Sequence, residues 1–312
     1  APMSLPRLAL DQFLDTLPQR RFVIALSGGL DSRTLLAVAA ALRDERGFAL
    51  RAIHVDHGLH ADSHQWARRC RDWCATHAVD IDVARVTVDG IAKLGLEAAA
   101  RAARHTAFAE RLGDDEVLLA AHHRDDQAET FLLRALRSPG YDGLAGMRPL
   151  RRFARGWLAR PWLDVSRSFI RAEADAAGLD WIDDPSNADT AHDRNFLRHE
   201  ILPRLAQRWP QAITALATSA ARAADLLALA EPEAQRLLAR HRDLDPNVLD
   251  VRVLDLPEGT AIAVLKAWLR DLALANPPPS ALREVLRQMR DARADRVPEV
   301  RWPGGVMYRY RD

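Results

Sequence analysis

The sequence has few cysteines, few lysines and no long apolar run, and each shortage excludes a class of protein. Cys70 and Cys74 are the only cysteines among 312 residues, so no disulfide framework is implied and a reducing compartment fits. No apolar run approaches the roughly 20 residues that a membrane-spanning helix needs, and no signal peptide opens the chain. We therefore expect a cytoplasmic protein that has no membrane partner.

Positive charge comes almost entirely from arginine, because Lys93 and Lys266 are the only lysines among the 44 basic residues. The net charge of +1 does not by itself indicate a nucleic-acid partner. Residues 131–171, however, contain nine arginines against two aspartates, a local charge of +7. Such a band could bind phosphates, or it could be a solvated surface balanced by acids elsewhere, and charge alone leaves both interpretations open.

One short stretch organises the chain: Ser27, Gly28, Gly29, Leu30, Asp31 and Ser32. Residues 22–26 before it predict a buried strand, and residues 34–38 after it predict the first turns of a helix. Two glycines alone would fit an ordinary turn. In this context, however, backbone N–H groups can approach phosphate oxygens and the helix dipole adds partial positive charge. Asp31 is suited to hold Mg²⁺, and the absent Walker lysine argues against a P-loop kinase or GTPase.

Predicted strands and helices alternate through the first two thirds of the chain. The strands are predicted at residues 22–26, 50–55, 79–83, 116–121 and 157–162. This alternation predicts a Rossmann-like α/β fold, with a mostly parallel sheet and helices on both faces. We expect one domain over residues 1–210, a connecting helix over 211–245 and a smaller, mainly helical domain over 246–312.

Polar clusters follow three of these strands, at residues 27–32, 54–60 and 122–126. Ligands of such folds lie beyond the carboxyl ends of the strands, so we expect an active site at this edge of the sheet. Asp126 and Glu129 are three residues apart on a predicted helix, so both carboxylates project from one face. They could bind an ammonium ion or Mg²⁺, or they could form a solvated acidic face or a helix cap.

Histidines are frequent in these clusters: His54, His57, His60, His64, His122 and His123. Because no accompanying cysteine or HExxH spacing appears, we expect them to form hydrogen bonds around a nucleotide or base rather than a zinc site. Cys70 and Cys74 share a predicted helix face and are expected to be packed thiols. Arg101, Arg104 and Arg194 flank the site, where an arginine can stabilise developing negative charge.

Seven stretches, in this order and spacing, resemble bacterial tRNA(Ile)-lysidine synthetases, which belong to the PP-loop (N-type) ATP pyrophosphatase superfamily: SGGLDS, HVDHGLHADS, EAAARAARHTAF, AHHRDDQAETFLLR, GLAGM, RPW and DDPSNADTAHDRNFLRHEILP. The resemblance covers residues 20–210, and the C-terminal region is similar to the substrate-binding domain of the family. It implies a ligase that uses ATP to adenylate the wobble cytidine of the CAU anticodon of tRNA(Ile). L-lysine is then joined to C2 of that base, with release of pyrophosphate and AMP.

The resemblance also implies roles for individual residues. Residues 27–32 would hold the ATP phosphates together with Mg²⁺, Asp31 would be essential and would bind the metal, and we count His54 among the ATP-binding residues. Arg101 and Arg194 match family arginines implicated in adenylation and lysine transfer. The acidic pair that receives the lysine would be Asp126 and Glu129.

Two departures and two rival functions accompany this resemblance. The family usually has Arg-Gly-Ser/Thr-Gly where this chain has Arg137, Ser138, Pro139 and Gly140. The resemblance therefore does not determine whether this loop contacts the anticodon. The family often carries a further C-terminal domain, which we expect to be absent here, and we expect no obligate protein partner.

Sulfur-inserting tRNA enzymes share the phosphate loop but require reactive cysteines. A tRNA-binding protein with a degenerate loop is opposed by the intact loop and by Asp126, Glu129 and Arg194.

Overall fold

The computed structural model describes residues 4–137, 141–274, 277–292 and 297–310, which form two compact units. The first unit contains residues 1–133 and 146–220, and the second contains residues 134–145 and 221–312. The domain limits at residues 210 and 245 stay a prediction.

Strands and helices alternate in the first unit. Its elements are α1 (Leu5–Asp15), β1 (Arg21–Ala25), α2 (Leu30–Arg46), β2 (Ala49–Asp56), α3 (Ser63–Thr76), β3 (Asp80–Arg85), α4 (Ile91–Leu94), α5 (Leu96–Arg111), β4 (Glu116–Leu119), α6 (Arg124–Ala135), β5 (Leu150–Phe153), β6 (Gly156–Ala159), α7 (Arg167–Ala176), α8 (Asp193–Phe196) and α9 (Leu202–Arg208). A π-helical turn, Leu197–Ile201, joins α8 to α9.

The six strands form one sheet in the order β3-β2-β1-β4-β6-β5, in which β5 alone runs antiparallel to its neighbour. Strand β1 shows that both faces are covered. Its Phe22 and Ile24 pack in a core with residues of α1, α2 and α3. Val23 packs in a second core with Phe108 of α5 and with Leu112, which directly follows α5. The predicted fold class is confirmed.

The order of the strands predicts where along the sheet a ligand crevice opens. Strands β2 and β3 lie on one side of β1, and β4 and β6 lie on the other, so the direction of the strand order reverses between β1 and β4. Loops that leave such neighbouring strands diverge and open a crevice at their carboxyl ends. The loop after β1 and the loop after β4 therefore face each other across this crevice.

Two details of the sheet differ from expectation. Strand β5 was not predicted, because Leu150–Phe153 is four residues long and carries two arginines, as an edge strand can. The predicted strand at 157–162 ends at Ala159 because Pro161 has no N–H to donate to a ladder.

The second unit is mainly helical. It contains the later part of α10 (Ala212–His241), then α11 (Glu258–Asp271), α12 (Pro279–Arg290) and a hairpin of β7 (Glu299–Trp302) and β8 (Gly305–Tyr308). Leu238, Trp268 and Leu282 belong to its core. The hairpin was not predicted. A Cβ at Gly305 would lie 2.6 Å from the Trp302 ring, so a glycine is needed where the chain turns beneath that indole.

Helix α10 overturns one expectation about apolar length. It has 30 residues and contains an 18-residue window of mean hydropathy 1.3, so by length and composition it could cross a membrane. Leu226 and Leu229 are 68% and 77% exposed. A single helix of this kind among the described residues is weak grounds for a membrane protein, since helices of soluble proteins meet the same criteria.

Candidate active site

The loop after β1 is held in shape by the hydroxyl of Ser32. The backbone N–H groups of Ser27 and Gly28 donate to Ser32 Oγ at 3.2 and 3.1 Å, and Ser27 Oγ lies 2.9 Å from the same atom. Ser32 is buried, so this hydroxyl is a fixed centre of the loop. The predicted serine hydroxyls thus organise the loop itself.

Gly28 is required by its surroundings. Its φ of +90° lies in the region that favours glycine, and a Cβ there would lie 2.5 Å from Ile182 Cδ1. The Gly28 carbonyl oxygen accepts a hydrogen bond of 3.0 Å from the Ile182 N–H, which fastens the loop to the segment after α7. Gly29 is different, because its φ is −71° and only Ser27 Oγ, at 3.8 Å, lies near its missing Cβ.

Helix α2 begins directly after this loop without a side-chain cap. Gly29 is its N-cap residue and forms no side-chain hydrogen bond to the first turn, although α2 is 17 residues long. The N–H groups of Leu30, Asp31 and Ser32 belong to the first turn of a helix, where no helical carbonyl lies in front of them. Backbone donors and the positive end of the dipole therefore meet at one point, which suits an anion such as phosphate.

Asp31 faces the crevice from the first turn of α2. Its Oδ1 atom is buried and has no hydrogen-bond partner among the described residues, although Arg167 Nε lies 3.8 Å away. An orphaned carboxylate oxygen beside a phosphate site fits Mg²⁺, which is bound through one or two carboxylates together with phosphate oxygens. In the described part of the chain, no group of three or more His, Cys, Asp or Glu could hold a metal by itself.

His123 connects the loop after β4 to Asp31. Its ring nitrogens lie 3.7 Å from Asp31 Oδ2, 3.6 Å from Asp125 Oδ2 and 3.4 Å from Asp126 Oδ2. Its burial (1% exposed) would lower the pKa, but the three carboxylates outweigh burial and raise the pKa of His123 to about 10. This pKa predicts a positively charged ring that attracts all three carboxylates, although the Asp126 N–H also lies 3.4 Å from its Nδ1.

Asp126 and Glu129 are buried and bound by two arginines. Arg194 donates to Asp126 Oδ1 at 2.9 Å and to Glu129 Oε2 at 2.7 Å. Arg198 donates to Glu129 Oε1 at 2.6 Å, to Glu129 Oε2 at 2.9 Å and to Asp126 Oδ1 at 3.1 Å. Although burial favours the protonated acid, His123 and Arg194 hold the pKa of Asp126 well below its usual range. Asp126 is therefore ionised, and any ammonium ligand must share the two carboxylates with two guanidinium groups.

Arg198 was missed from the sequence, although its signal was present. Arg194 and Arg198 are four residues apart, a spacing that places two side chains on one face of a helix, as the spacing of three does for Asp126 and Glu129. Arg198 lies in the π-helical turn, a form that is frequent at functional sites. Arg167 and Asp125 were also missed, because the Arg167 N–H donates to Asp125 Oδ2 across 42 positions of the sequence and leaves no local pattern.

A cavity of about 260 Å³ opens beside the carboxylate pair. Polar groups and apolar groups both line it, among them Asp125, Glu129, Arg167, Arg198, Leu202 and Ile213. Charged groups at one part of a cavity and aliphatic groups at another suit a ligand with charged ends and an aliphatic stem.

The other predicted site residues take different positions. His54 is buried beneath the loop, where its Nδ1 donates to the Leu26 carbonyl oxygen at 2.8 Å. Contact between His54 and ATP stays a prediction. Arg101 is exposed, and burial of part of its side chain together with the charge of Arg194 lowers its pKa, so these two predicted arginines lie near each other. Residues Ser138, Pro139 and Gly140, where the sequence departs from the family pattern, lie outside the described residues.

The cysteines are packed in the core, as expected. Both are buried and free, and burial raises the pKa of Cys70 to about 12 and that of Cys74 to about 11. Thiols of this kind are neutral and poorly nucleophilic.

Family models and curated relatives match most of this chain. Residues 6–205 match the PP-loop domain family, and residues 252–312 match the TilS substrate binding domain. The tRNA(Ile)-lysidine synthase of Xanthomonas axonopodis pv. citri is 49% identical over 88% of this chain and 62% of its own length. That of Xanthomonas campestris pv. campestris (strain 8004) is 44% identical over 94% of this chain and 68% of its own length. The chain belongs to the tRNA(Ile)-lysidine synthase family.

More distant members of this family are similar over the same region. The tRNA(Ile)-lysidine synthase of Methylococcus capsulatus is 38% identical over 98% of this chain and 70% of its own length. The chain thus spans about two thirds of the length of these relatives. Among solved structures, a U34-tRNA thiolase from Methanococcus maripaludis has a TM-score of 0.59 at 16% identity, over 70% of this chain and 77% of its own, which is a likeness of fold.

Alanine substitutions at the two glycines of the loop should differ in their effect on the stability of the fold. Gly28→Ala should lower the free energy of unfolding by about 2 kcal/mol or more, because alanine is strained at this φ and its methyl group meets Ile182. Gly29→Ala should change it by less than about 1 kcal/mol, since a poorer N-cap offsets the reduced entropy of the unfolded chain. Urea denaturation measures both, and equal losses would contradict this account of the loop.

The imidazolium predicts a pH dependence of stability. The folded pKa of His123, about 10, exceeds the unfolded value of 6.5, so its stabilisation is complete below pH 6.5 and is lost as the pH rises towards 10. Between pH 7 and 9, the free energy of unfolding should fall by up to about 1.4 kcal/mol per pH unit, and His123→Gln should remove this slope. The exposed His64 offers a control, since His64→Gln should retain it. An unchanged slope in His123→Gln would contradict the charged assignment.

Proposed function

We propose that the chain is an ATP-dependent ligase that forms lysidine at the wobble cytidine of the CAU anticodon of tRNA(Ile). One observation carries the proposal: an uncapped helix N-terminus suited to phosphate is joined through His123 to a buried carboxylate pair suited to an ammonium group. A polyphosphate and an amine can therefore be held side by side. The names of the relatives, which extend beyond this chain, support the same reaction.

In the first step, O2 of the cytosine attacks the α-phosphorus of ATP, and the bond to the bridging oxygen breaks so that pyrophosphate leaves. The N–H groups at the start of α2 bind the phosphates, while Arg101 and Arg194 stabilise the negative charge that develops. Asp31 would hold Mg²⁺ through its unpaired Oδ1, and this ion would neutralise phosphate oxygens.

In the second step, the ε-amine of lysine attacks C2 of the adenylated base, and the C2–O bond breaks so that AMP leaves. The amine must be unprotonated to attack. Asp126 and Glu129 are suited to hold the α-ammonium group, because carboxylates favour the protonated form of an amine next to them. The nearby cavity offers aliphatic walls for the stem of lysine, which would carry the ε-amine away from the carboxylate pair.

The base can reach the α-phosphate only after it leaves its stack, so the anticodon loop must lie at the carboxyl edge of the sheet. We expect one tRNA contact area on the first unit, from the basic band, and a second in residues 246–312, where the match to the substrate binding domain lies. A cytoplasmic location, where tRNA is modified, is part of the proposal.

A sulfur-inserting activity is the alternative that the fold alone would allow. It requires thiolates or cluster-binding cysteines at the site. Cys70 and Cys74 instead have pKa values raised by burial, and no other cysteine occurs in the sequence. Ligation with lysine therefore fits these residues better.

The ATP site is tested by Asp31→Asn. The substitution should reduce tRNA-dependent release of pyrophosphate by at least about 100-fold, because the neutral amide is a poor ligand for Mg²⁺. Asp44→Asn is a matched control, since Asp44 lies near the other end of α2, is exposed and pairs with Arg43. Pyrophosphate release that is equal in the two variants would reject the assignment of Asp31.

The lysine site is tested by Glu129→Gln. The KM for lysine should rise by roughly tenfold or more, because a charge-assisted hydrogen bond is lost, while the KM for ATP stays close to that of the unaltered chain. Glu116→Gln removes a buried carboxylate that is likewise bound by an arginine, Arg51 at 2.6 Å, but away from the crevice. It should destabilise the fold without a change in the KM for lysine. The opposite pattern, with only ATP use impaired in Glu129→Gln, would make the pair a metal site instead.

A further inference from the structure

One face of the first unit brings together arginines from α5 and β5. Arg101, Arg104 and His105 share one side of α5, since they are three and four residues apart. The His105 ring meets the Phe153 ring edge-on, with centroids 5.6 Å apart. Arg151 Cζ lies 5.2 Å from the centroid of the same Phe153 ring. The aromatic pair therefore joins the arginines of the helix to the arginine of the edge strand.

This arginine cluster (Arg101, Arg104 and Arg151) lies towards the edge of the sheet that holds the active site. Strand β5 is antiparallel, and its Leu150 pairs with Ala159 at the carboxyl end of β6, so Arg151 is one residue from that edge. Helix α5 follows β3 and therefore starts at the same edge. Arg101 is close enough to Arg194 for that charge to lower its pKa.

The charges of the arginine cluster are balanced only in part, because Glu97, one turn before Arg101 on α5, is the acid that acts on Arg101. Among the described residues, no carboxylate forms a salt bridge with Arg101, Arg104 or Arg151. Burial of part of each side chain and the charge of Arg101 lower the pKa values of Arg104 and Arg151. Arg104 donates to a neutral partner, His57 Nε2, at 3.3 Å, and burial together with Arg104 lowers the pKa of His57 to about 4. Guanidinium groups gathered with few counter-charges form an anion site.

Two neighbouring arginines of the basic band, Arg155 and Arg152, have other environments. Arg155 forms two hydrogen bonds with Asp114, at 2.9 and 2.8 Å, so its charge is neutralised. Arg152 lies on the other side of β5 from Arg151, with its Cζ 4.2 Å from the centroid of the Trp157 ring. The three neighbouring arginines of the band thus have three different environments.

We propose that Arg104 and Arg151 bind phosphates of the RNA backbone next to the base that enters the active site, beside Arg101, whose proposed role is at the reacting phosphate of ATP. This inference rests on the proposed function. Separate guanidinium groups on two elements match a chain with one charge per nucleotide better than the clustered charges of a triphosphate, for which the start of α2 is available. The exposure of Arg101 and Arg104 also fits a large, open ligand rather than an enclosed one.

Removal of single charges tests the proposal through the salt dependence of tRNA binding by the full chain. Arg104→Gln and Arg151→Gln should each weaken binding of a tRNA(Ile) transcript at low salt and reduce the slope of log K against log salt by roughly one. Arg104→Lys and Arg151→Lys should retain most of the slope, because they keep the charge. The matched controls Arg152→Gln and Arg155→Gln, from the same band, should leave the slope unchanged.

The outcomes separate this inference from the function on which it rests. If the slope of log K against log salt falls equally in all four glutamine variants, the band acts as a diffuse charge and the arginine cluster is not a specific site. If Arg104→Gln and Arg151→Gln bind tRNA like the unaltered chain while lysidine is still formed, the inference fails and the function stands. If instead they raise the KM for ATP at unchanged tRNA affinity, the cluster binds nucleotide. An unaltered chain that neither binds tRNA nor forms lysidine would overturn both.

Discussion

A buried imidazolium holds the active site together. His123 follows β4, and its ring contacts Asp31, which belongs to the element after β1, as well as Asp125 and Asp126 of its own helix start. Three carboxylates this close would repel one another and favour protonation of one of them. The positive ring removes that repulsion, so the loop that is suited to phosphate and the helix that carries the carboxylate pair can lie at the same edge of the sheet.

The charges around this ring are balanced before any ligand enters. Asp31, Asp125, Asp126 and Glu129 are matched by His123, Arg167, Arg194 and Arg198. A polyphosphate alone would disturb this balance, and a divalent cation bound to it would reduce the disturbance. The carboxylates of the pair already accept hydrogen bonds from two arginines. An ammonium ligand must therefore share or displace those hydrogen bonds, and its net gain in binding free energy is smaller than at free carboxylates. Selectivity for an amine thus depends on geometry as much as on charge.

Local patterns in the sequence predicted much of this molecule. The strand, glycine loop and helix around Asp31, the alternation that makes a parallel sheet and the shared face of Asp126 and Glu129 depend on neighbours within a few residues. Strand β5 and the β7–β8 hairpin were missed because their strands are only four residues long, so that even the alternation of β7 covers too few residues to stand out. Arg198 and Arg167 escaped for another reason, since their partners are 69 and 42 positions away. Ion pairs across such distances exist only after the fold has formed.

The basic band shows the same limit for electrostatics. Its charge of +7 describes a stretch of sequence, yet alternation along β5 sends Arg151 and Arg152 to opposite faces of the sheet. Arg155 is paired with Asp114, while burial and the like charge of Arg101, on a different element, lower the pKa of Arg151. An arginine that is paired adds little to the field felt by a polyanion, whereas one held near other cations adds its full charge. The positive potential that a polyanion would meet is therefore set by which guanidinium groups lack a carboxylate partner after folding, and not by how many the sequence places together.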